Sequence, residues 1–256
     1  MPHSEHPTPR GNTPNPDADI STFWWNVNQP RQKWTFECPA YLLGQSEKNI
    51  GILMKRDDDF KRFSWEKCEE LVKTNNIHHF QRSSSQLRGY LQYVHHLKKT
   101  YGSVLTYIQR ERLHWDTVTP SADAPFRDAS DYRILYNDWP YFVEEGIKHL
   151  VVWTKFLIDE DPETGEVLPE ANQQIENFIR ATFCEGPDDK RVLRERIVWF
   201  KNWKSLKSVH ALAKSAGAAE LMMRLQGRTG ALLTLELPQS ISTFCCITHL
   251  NHFSKL

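Results

Sequence analysis

Between Ser64 and Trp115 the apolar positions recur at helical spacing. Trp65, Cys68, Leu71 and Val72 share one face of a first segment. In residues 82–97, RSSSQLRGYLQYVHHL, the positions Leu87, Tyr90, Leu91, Val94 and Leu97 keep a 3.6-residue rhythm, and Ser83 followed by Gln86 has the spacing of a capping box. A third helix is expected over 101–115, with Tyr101, Val104, Leu105 and Ile108 as its stripe. Arg110 and Arg112 suit its C-terminal end, where cations complement the helix dipole.

The period then changes. RILY (133–136), HLVVWTKF (149–156) and RIVWF (196–200) are short runs rich in β-branched and aromatic residues and are read as strands. Between the last two, residues 169–183 form a helix, with Pro169 at its first position and Ala171, Ile175, Phe178 and Ile179 on its buried face. The order is three helices and then β-β-α-β. Segregated helices and strands point to an α+β domain with an N-terminal helical layer packed on a small antiparallel sheet. The flanks read differently. Residues 1–20 are rich in Pro, Asn and Asp and are expected to be a disordered tail. Residues 21–59 form an aromatic, aperiodic arm, with Trp24, Trp25, Trp34, Phe36 and Tyr41, that lies on the domain over 60–212.

Composition narrows the function classes. The 256 residues hold 32 Lys+Arg against 32 Asp+Glu, a formal net charge of zero that argues against a whole-face nucleic-acid grip. Residues 190–207 are locally basic with interleaved aromatics, a pattern that could meet a single strand, but Val198, Trp199 and Phe200 are better used as core. No apolar run approaches the roughly 18 residues of a membrane span, and the N-terminus has no apolar signal core. No membrane partner is therefore expected. The five scattered cysteines form no CxxC pair, which argues against both a disulfide framework and a structural zinc and fits a reducing compartment. The adjacent pairs His78–His79 and His95–His96 diverge by about 100° on a helix and do not converge on one metal. No cofactor is expected.

Three runs could carry chemistry. In NDWPY, Asn137, Asp138, Trp139 and Tyr141 could present an amide, a carboxylate and ring walls to a ligand, or simply make a turn around Pro140. In HLVVWTKF, alternation puts His149, Trp153 and Lys155 on one strand face, suited to an anion or to solvated strand ends. After the last strand, Lys201, Asn202, Ser205, Lys207, Ser208 and His210 supply donors at a density that suits phosphate, or form an ordinary solvated loop. If the strands ending at Lys155 and Phe200 are neighbours, His149, Lys155, Asn202 and Ser208 meet in one cleft.

The runs RSSSQLRGYL, YGSVLTYIQRERLHW, ILYNDWPY, HLVVWTKF and VWFKNWKSLKSVHAL together resemble the fungal N-acetylglucosamine-induced protein family over about 64–212. The resemblance implies a fungal protein of the cytoplasm, with a nuclear pool, whose biochemical role is unassigned; it brings no catalytic residues. In such relatives a His-x-His strand follows the counterpart of SVHAL, whereas here Leu212 leads into AKSAGAAE. Residues 213–256 are therefore read as an atypical C-terminal tail, mis-spliced or frame-shifted. The reading that follows is non-catalytic: a protein of the amino-sugar response with an anionic sugar or nucleotide sugar as ligand. A second layout is similar to the histidine-triad nucleotide hydrolases and transferases, with Asn202, Ser208 and Val209 in matching places. His210 stands one position early and the further histidines are missing, so such an enzyme would be impaired in this chain. A third reading makes the arm 23–41 a protein-interaction module, with no partner specified.

Overall fold

In the computed structural model, residues 19–187 and 191–201 are described in full and 220–226 as backbone. Helix α1 (Glu47–Leu53) begins at Ser46, whose hydroxyl accepts from the Asn49 N–H. Helix α2 (Trp65–Lys73) begins in the same way at Ser64 and buries Trp65, Cys68 and Leu71 on the expected face. Helix α3 (Ser84–Tyr101) carries the Ser83–Gln86 capping box and stops at Gly102, whose φ of 76° is open to glycine without strain.

The third helix departs from expectation. Helix α4 runs only from Val104 to Tyr107, and Ile108–Leu113 continues as a π-helical turn. The apolar spacing explains the change. After Ile108 the next large apolar residue is Leu113, five positions on, and the wider i→i+5 repeat turns it into the core, where it is fully buried.

Strands β1 (Tyr132–Tyr136), β2 (Ile147–Thr154), β3 (Ile197–Lys201) and β4 (Glu220–Gln226) form one antiparallel sheet in the order β1-β2-β4-β3. The fold is thus the expected α+β arrangement, with most helices before the strands. One difference matters for the site. Strand β4 comes from the stretch read as an atypical tail, and it pairs with β2 on one edge and β3 on the other. β2 and β3 are therefore not neighbours. Residues 1–18, 188–190, 202–219 and 227–256 lie outside the described residues, and with them the expected disordered N-terminus and most of the tail.

Both faces of the sheet are covered. On one, Leu150, Val152 and Ile197 pack under helix α5 (Pro169–Ile179), whose Ala171, Ile175, Phe178 and Ile179 are all buried. On the other, Ile147 and Phe200 meet Trp65, Cys68 and Leu71 of α2, while Val151 and Trp153 meet Leu113 and Trp115. Helix α5 is pinned to β3 by Glu176, which accepts from Arg194 Nε at 2.8 Å and Nη2 at 2.5 Å and from Trp199 Nε1 at 2.7 Å. The Arg194 hydrogen bonds, above all, hold the Glu176 carboxyl below its ordinary range. Glu176→Gln keeps the shape but replaces charge-assisted bonds with neutral ones. It is expected to lower the unfolding free energy by about 1–2 kcal/mol, read from urea denaturation.

The arm from Asp19 to Leu43 packs against α1 and α3. Asn26, 1% exposed, ties it together by donating to the carbonyls of Ile20 and Thr35 and accepting from the Thr35 N–H. Trp24, Trp25 and Tyr41 then pack on Leu42, Ile52, Leu53 and Leu87.

Candidate ligand-binding site

A cavity of about 400 Å³ opens between α3, the π-helical turn and the face of β1 and β2 that points away from α5. Pockets of this size, mostly apolar with a few convergent polar groups, are the usual form of small-molecule sites. Its walls are aromatic: Phe80 ahead of α3, Tyr90 and Tyr93 from α3, Tyr107 from α4, Tyr136 from β1, Trp139 and Tyr141 from the β1–β2 connection, and Trp153 from β2. Leu135 and Val151 close it from the sheet. The charged lining is Lys48, Arg82 and Arg112, against one carboxylate, Asp138.

Each cation is positioned by local structure. Arg82 precedes α3 and donates to the Trp139 carbonyl from Nε at 3.1 Å and Nη2 at 2.6 Å. Its guanidinium lies over Tyr90, 4.2 Å from the ring centre, and 5.3 Å from that of Tyr141. Stacking of this kind holds a cation flat against the wall while leaving its charge effective. Lys48 of α1 donates to the His78 carbonyl at 2.5 Å, and burial pulls its pKa below the ordinary lysine value. Arg112, on the π-helical turn, forms an ion pair with Asp138. Burial works against its charge, but Asp138 and Tyr107 more than offset this and raise its pKa. The Tyr93 hydroxyl is pushed well above the usual phenol range by burial, with its hydrogen bond to Tyr107 and the nearby Asp138 adding to the effect. Tyr93 is therefore a neutral hydroxyl that can donate and accept hydrogen bonds in the cavity.

The NDWPY run both turns and lines the cavity. Asn137 Oδ1 accepts from the Trp139 N–H at 2.9 Å, which is the turn chemistry expected of an Asn before Pro140. Asp138, Trp139 and Tyr141 line the cavity with it. Of the strand residues, Trp153 reaches the cavity, and His149 stands behind the wall. His149 is 4% exposed, stacks on Tyr141 with ring centres 5.5 Å apart, and lies 3.5 Å from Asn137 Nδ2.

Lys155 and Lys201 are elsewhere. Lys155 Nζ sits 3.7 Å from Asp131 and 5.5 Å from the Trp115 ring centre, and its backbone N–H donates to the Asp131 carbonyl. Lys201 emerges on the α5 side of the sheet, where Nζ bonds the Ile158 carbonyl at 3.0 Å and pairs with Glu160. The strands expected to be adjacent are not, because β4 separates β2 from β3. Asn202, Ser205, Lys207, Ser208 and His210 lie outside the described residues.

Sequence reasoning missed Lys48, Arg82, Tyr90, Tyr93, Tyr107 and Arg112 as site residues. A signal was present: α3 places Tyr90 and Tyr93 on one stripe beside Gly89. A Cβ at Gly89 would stand 3.1 and 3.2 Å from ring carbons of Trp139, so the helix lacks a side chain where the indole lies against it. Gly89→Ala is expected to be within about 1 kcal/mol of neutral, because improved helix propensity offsets a small shift of the ring. Gly89→Leu drives the ring into the cavity and is expected to lower stability by about 1–3 kcal/mol, checked by urea denaturation.

Among the described residues no group of three His, Cys, Asp or Glu could hold a metal ion, and no helix is long and apolar enough to cross a membrane. Comparison with known proteins gives relatives of fungal origin. N-acetylglucosamine-induced protein 1 of Candida albicans is 28% identical over 199 residues, covering 68% of this chain and 77% of that protein. Uncharacterized protein YPL067C of Saccharomyces cerevisiae is 24% identical over 162 residues, covering 62% and 79% respectively. The crystal structure of HTC1 aligns with 67% of this chain and 89% of its own, at 22% identity and a TM-score of 0.49. The family described as protein of unknown function (DUF3605) matches residues 64–215, more than half of the sequence, and the chain belongs to that family.

Proposed function

We propose that this protein is a non-catalytic binding protein of the amino-sugar response, and that the aromatic cavity takes a sugar carrying a phosphate, either a sugar phosphate or a nucleotide sugar. The observation that carries the reading is the lining: eight aromatic rings with three cations against one carboxylate. Aromatic walls cover the apolar faces of a sugar ring, and fixed guanidinium groups meet a phosphate with directional donors. The printed name of the Candida albicans relative, which ties it to induction by N-acetylglucosamine, supports the choice of an amino sugar. Cys38, Cys68 and Cys184 are thiols and not disulfides, which supports a cytoplasmic setting.

The test is a thermal-shift screen of N-acetylglucosamine, N-acetylglucosamine 6-phosphate and uridine diphosphate N-acetylglucosamine. A ligand present at about a hundredfold its Kd adds roughly 2.7 kcal/mol to the folded state, which raises Tm by about 5–10 °C in a chain of this size. The phosphorylated compounds are expected to produce that shift and the neutral sugar a smaller one. Equal, negligible shifts with all three remove the proposal.

A further inference from the structure

We infer that Asp138 is an internal counter-anion that an incoming anion must displace from Arg112, so that this carboxylate sets which ligands the cavity accepts. The inference rests on the proposed function and assigns Asp138 the opposite of a ligand contact. Arg112 and Asp138 face each other across the cavity lining, one from the π-helical turn and the other from the β1–β2 connection. The two ends of this pair are held differently. The Arg112 side chain is 22% exposed, its base is anchored by the fully buried Leu113, and Tyr107 holds the guanidinium from within. The Asp138 side chain is 42% exposed, and among the described residues Arg112 is its one hydrogen-bonding partner.

This asymmetry decides which group leaves. A carboxylate already close to half exposed regains hydration readily when released, whereas the more enclosed guanidinium cannot follow it into water without losing its hydrogen bond to Tyr107. A neutral sugar leaves the pair closed. An anion that reaches Arg112 opens it by exchange, one negative group for another as partner of the guanidinium. Asp138 thus weakens every anion by the strength of the pair it must break, and favours those that also engage Arg82 or Lys48.

The experiment is isothermal titration of the full chain and two variants, Asp138→Asn and Arg112→Gln/Asp138→Asn, with inorganic phosphate, N-acetylglucosamine 6-phosphate and neutral N-acetylglucosamine. Circular dichroism melts confirm the fold, and Asp138→Ser serves as a second route to an uncharged turn. Removing the competing carboxylate is expected to tighten both phosphate probes roughly fivefold, the effect of a partly exposed ion pair, with the neutral sugar unchanged. The gain should vanish when Arg112 is also replaced. Unchanged or weaker phosphate binding by Asp138→Asn and Asp138→Ser, with the parent still binding, overturns the inference and leaves the proposed function in place. A gain that survives Arg112→Gln also overturns it. Phosphate compounds that bind neither parent nor variants overturn both.

Discussion

Asp131→Ala is expected to lower the unfolding free energy by about 2–3 kcal/mol at neutral pH. Asp131 is 1% exposed, and its carboxylate accepts from the Ser121 N–H at 2.7 and 2.8 Å and from the Ala122 N–H at 2.9 Å. These bonds hold the loop that follows Trp115 down onto the sheet, and the same carboxylate faces Lys155. Truncation leaves part-buried N–H groups without their acceptor and an enclosed ammonium without its anion. Adding Lys155→Met to Asp131→Ala removes the second defect, and part of the loss should return. Burial by itself would raise the Asp131 pKa, but the Ala122 and Ser121 N–H groups and Lys155 hold it below the ordinary value. A carboxyl whose folded pKa is depressed contributes stability that is present above its unfolded value and lost as pH falls through the folded one. The gap between parent and variant should therefore be constant from pH 7 to 5 and narrow below about pH 4. Urea denaturation across that range measures it.

Arg82→Ala is expected to weaken a phosphorylated amino sugar by about 2 kcal/mol, roughly 30-fold, while leaving the neutral sugar much less affected. Arg82 is the cation most firmly built into the wall, fixed by two bonds to the Trp139 carbonyl and by its place over Tyr90. Truncation also loosens the NDWPY turn, so some loss for every ligand is expected. The difference between charged and neutral sugars, measured by titration, isolates the electrostatic part. Arg82→Lys keeps the charge but loses the planar fork and should fall between the two.

The elements with a single unambiguous rhythm were legible in the sequence. The capping box at Ser83, the buried face of α5 and the three strands RILY, HLVVWTKF and RIVWF all fall where the periodicity puts them, give or take their ends. Helix α1, inside the arm read as aperiodic, was not, and two further features were not. The π-helical turn depends on one extra residue between Ile108 and Leu113, which a fixed 3.6-residue template does not register. Strand β4 holds Leu221, Met222 and Met223 in succession, and such a run has no alternation to mark it. A strand paired along both edges of a covered sheet needs none.

That last gap explains why the site was only half visible. Reading β2 and β3 as adjacent directed attention to the strand ends and to His149 and Lys155. With β4 between those strands, Lys201 emerges on the α5 side of the sheet, and a cavity lies between α3 and β1–β2. Asn137, Asp138, Trp139, Tyr141 and Trp153 belonged to both pictures. The arginines did not, because Arg82 reads as a helix flank and Arg112 as a cation suiting a helix C-terminus. Only the packing shows both lining the same hollow.

Titration calorimetry with N-acetylglucosamine 6-phosphate on the parent chain and on Arg82→Ala tests the central claim most directly. The account predicts saturable binding of one ligand per chain, weakened roughly 30-fold by the substitution. Absence of binding to a folded parent chain by this compound, by the neutral sugar and by its uridine diphosphate conjugate, or equal affinity of parent and variant for the phosphorylated sugar, would contradict it.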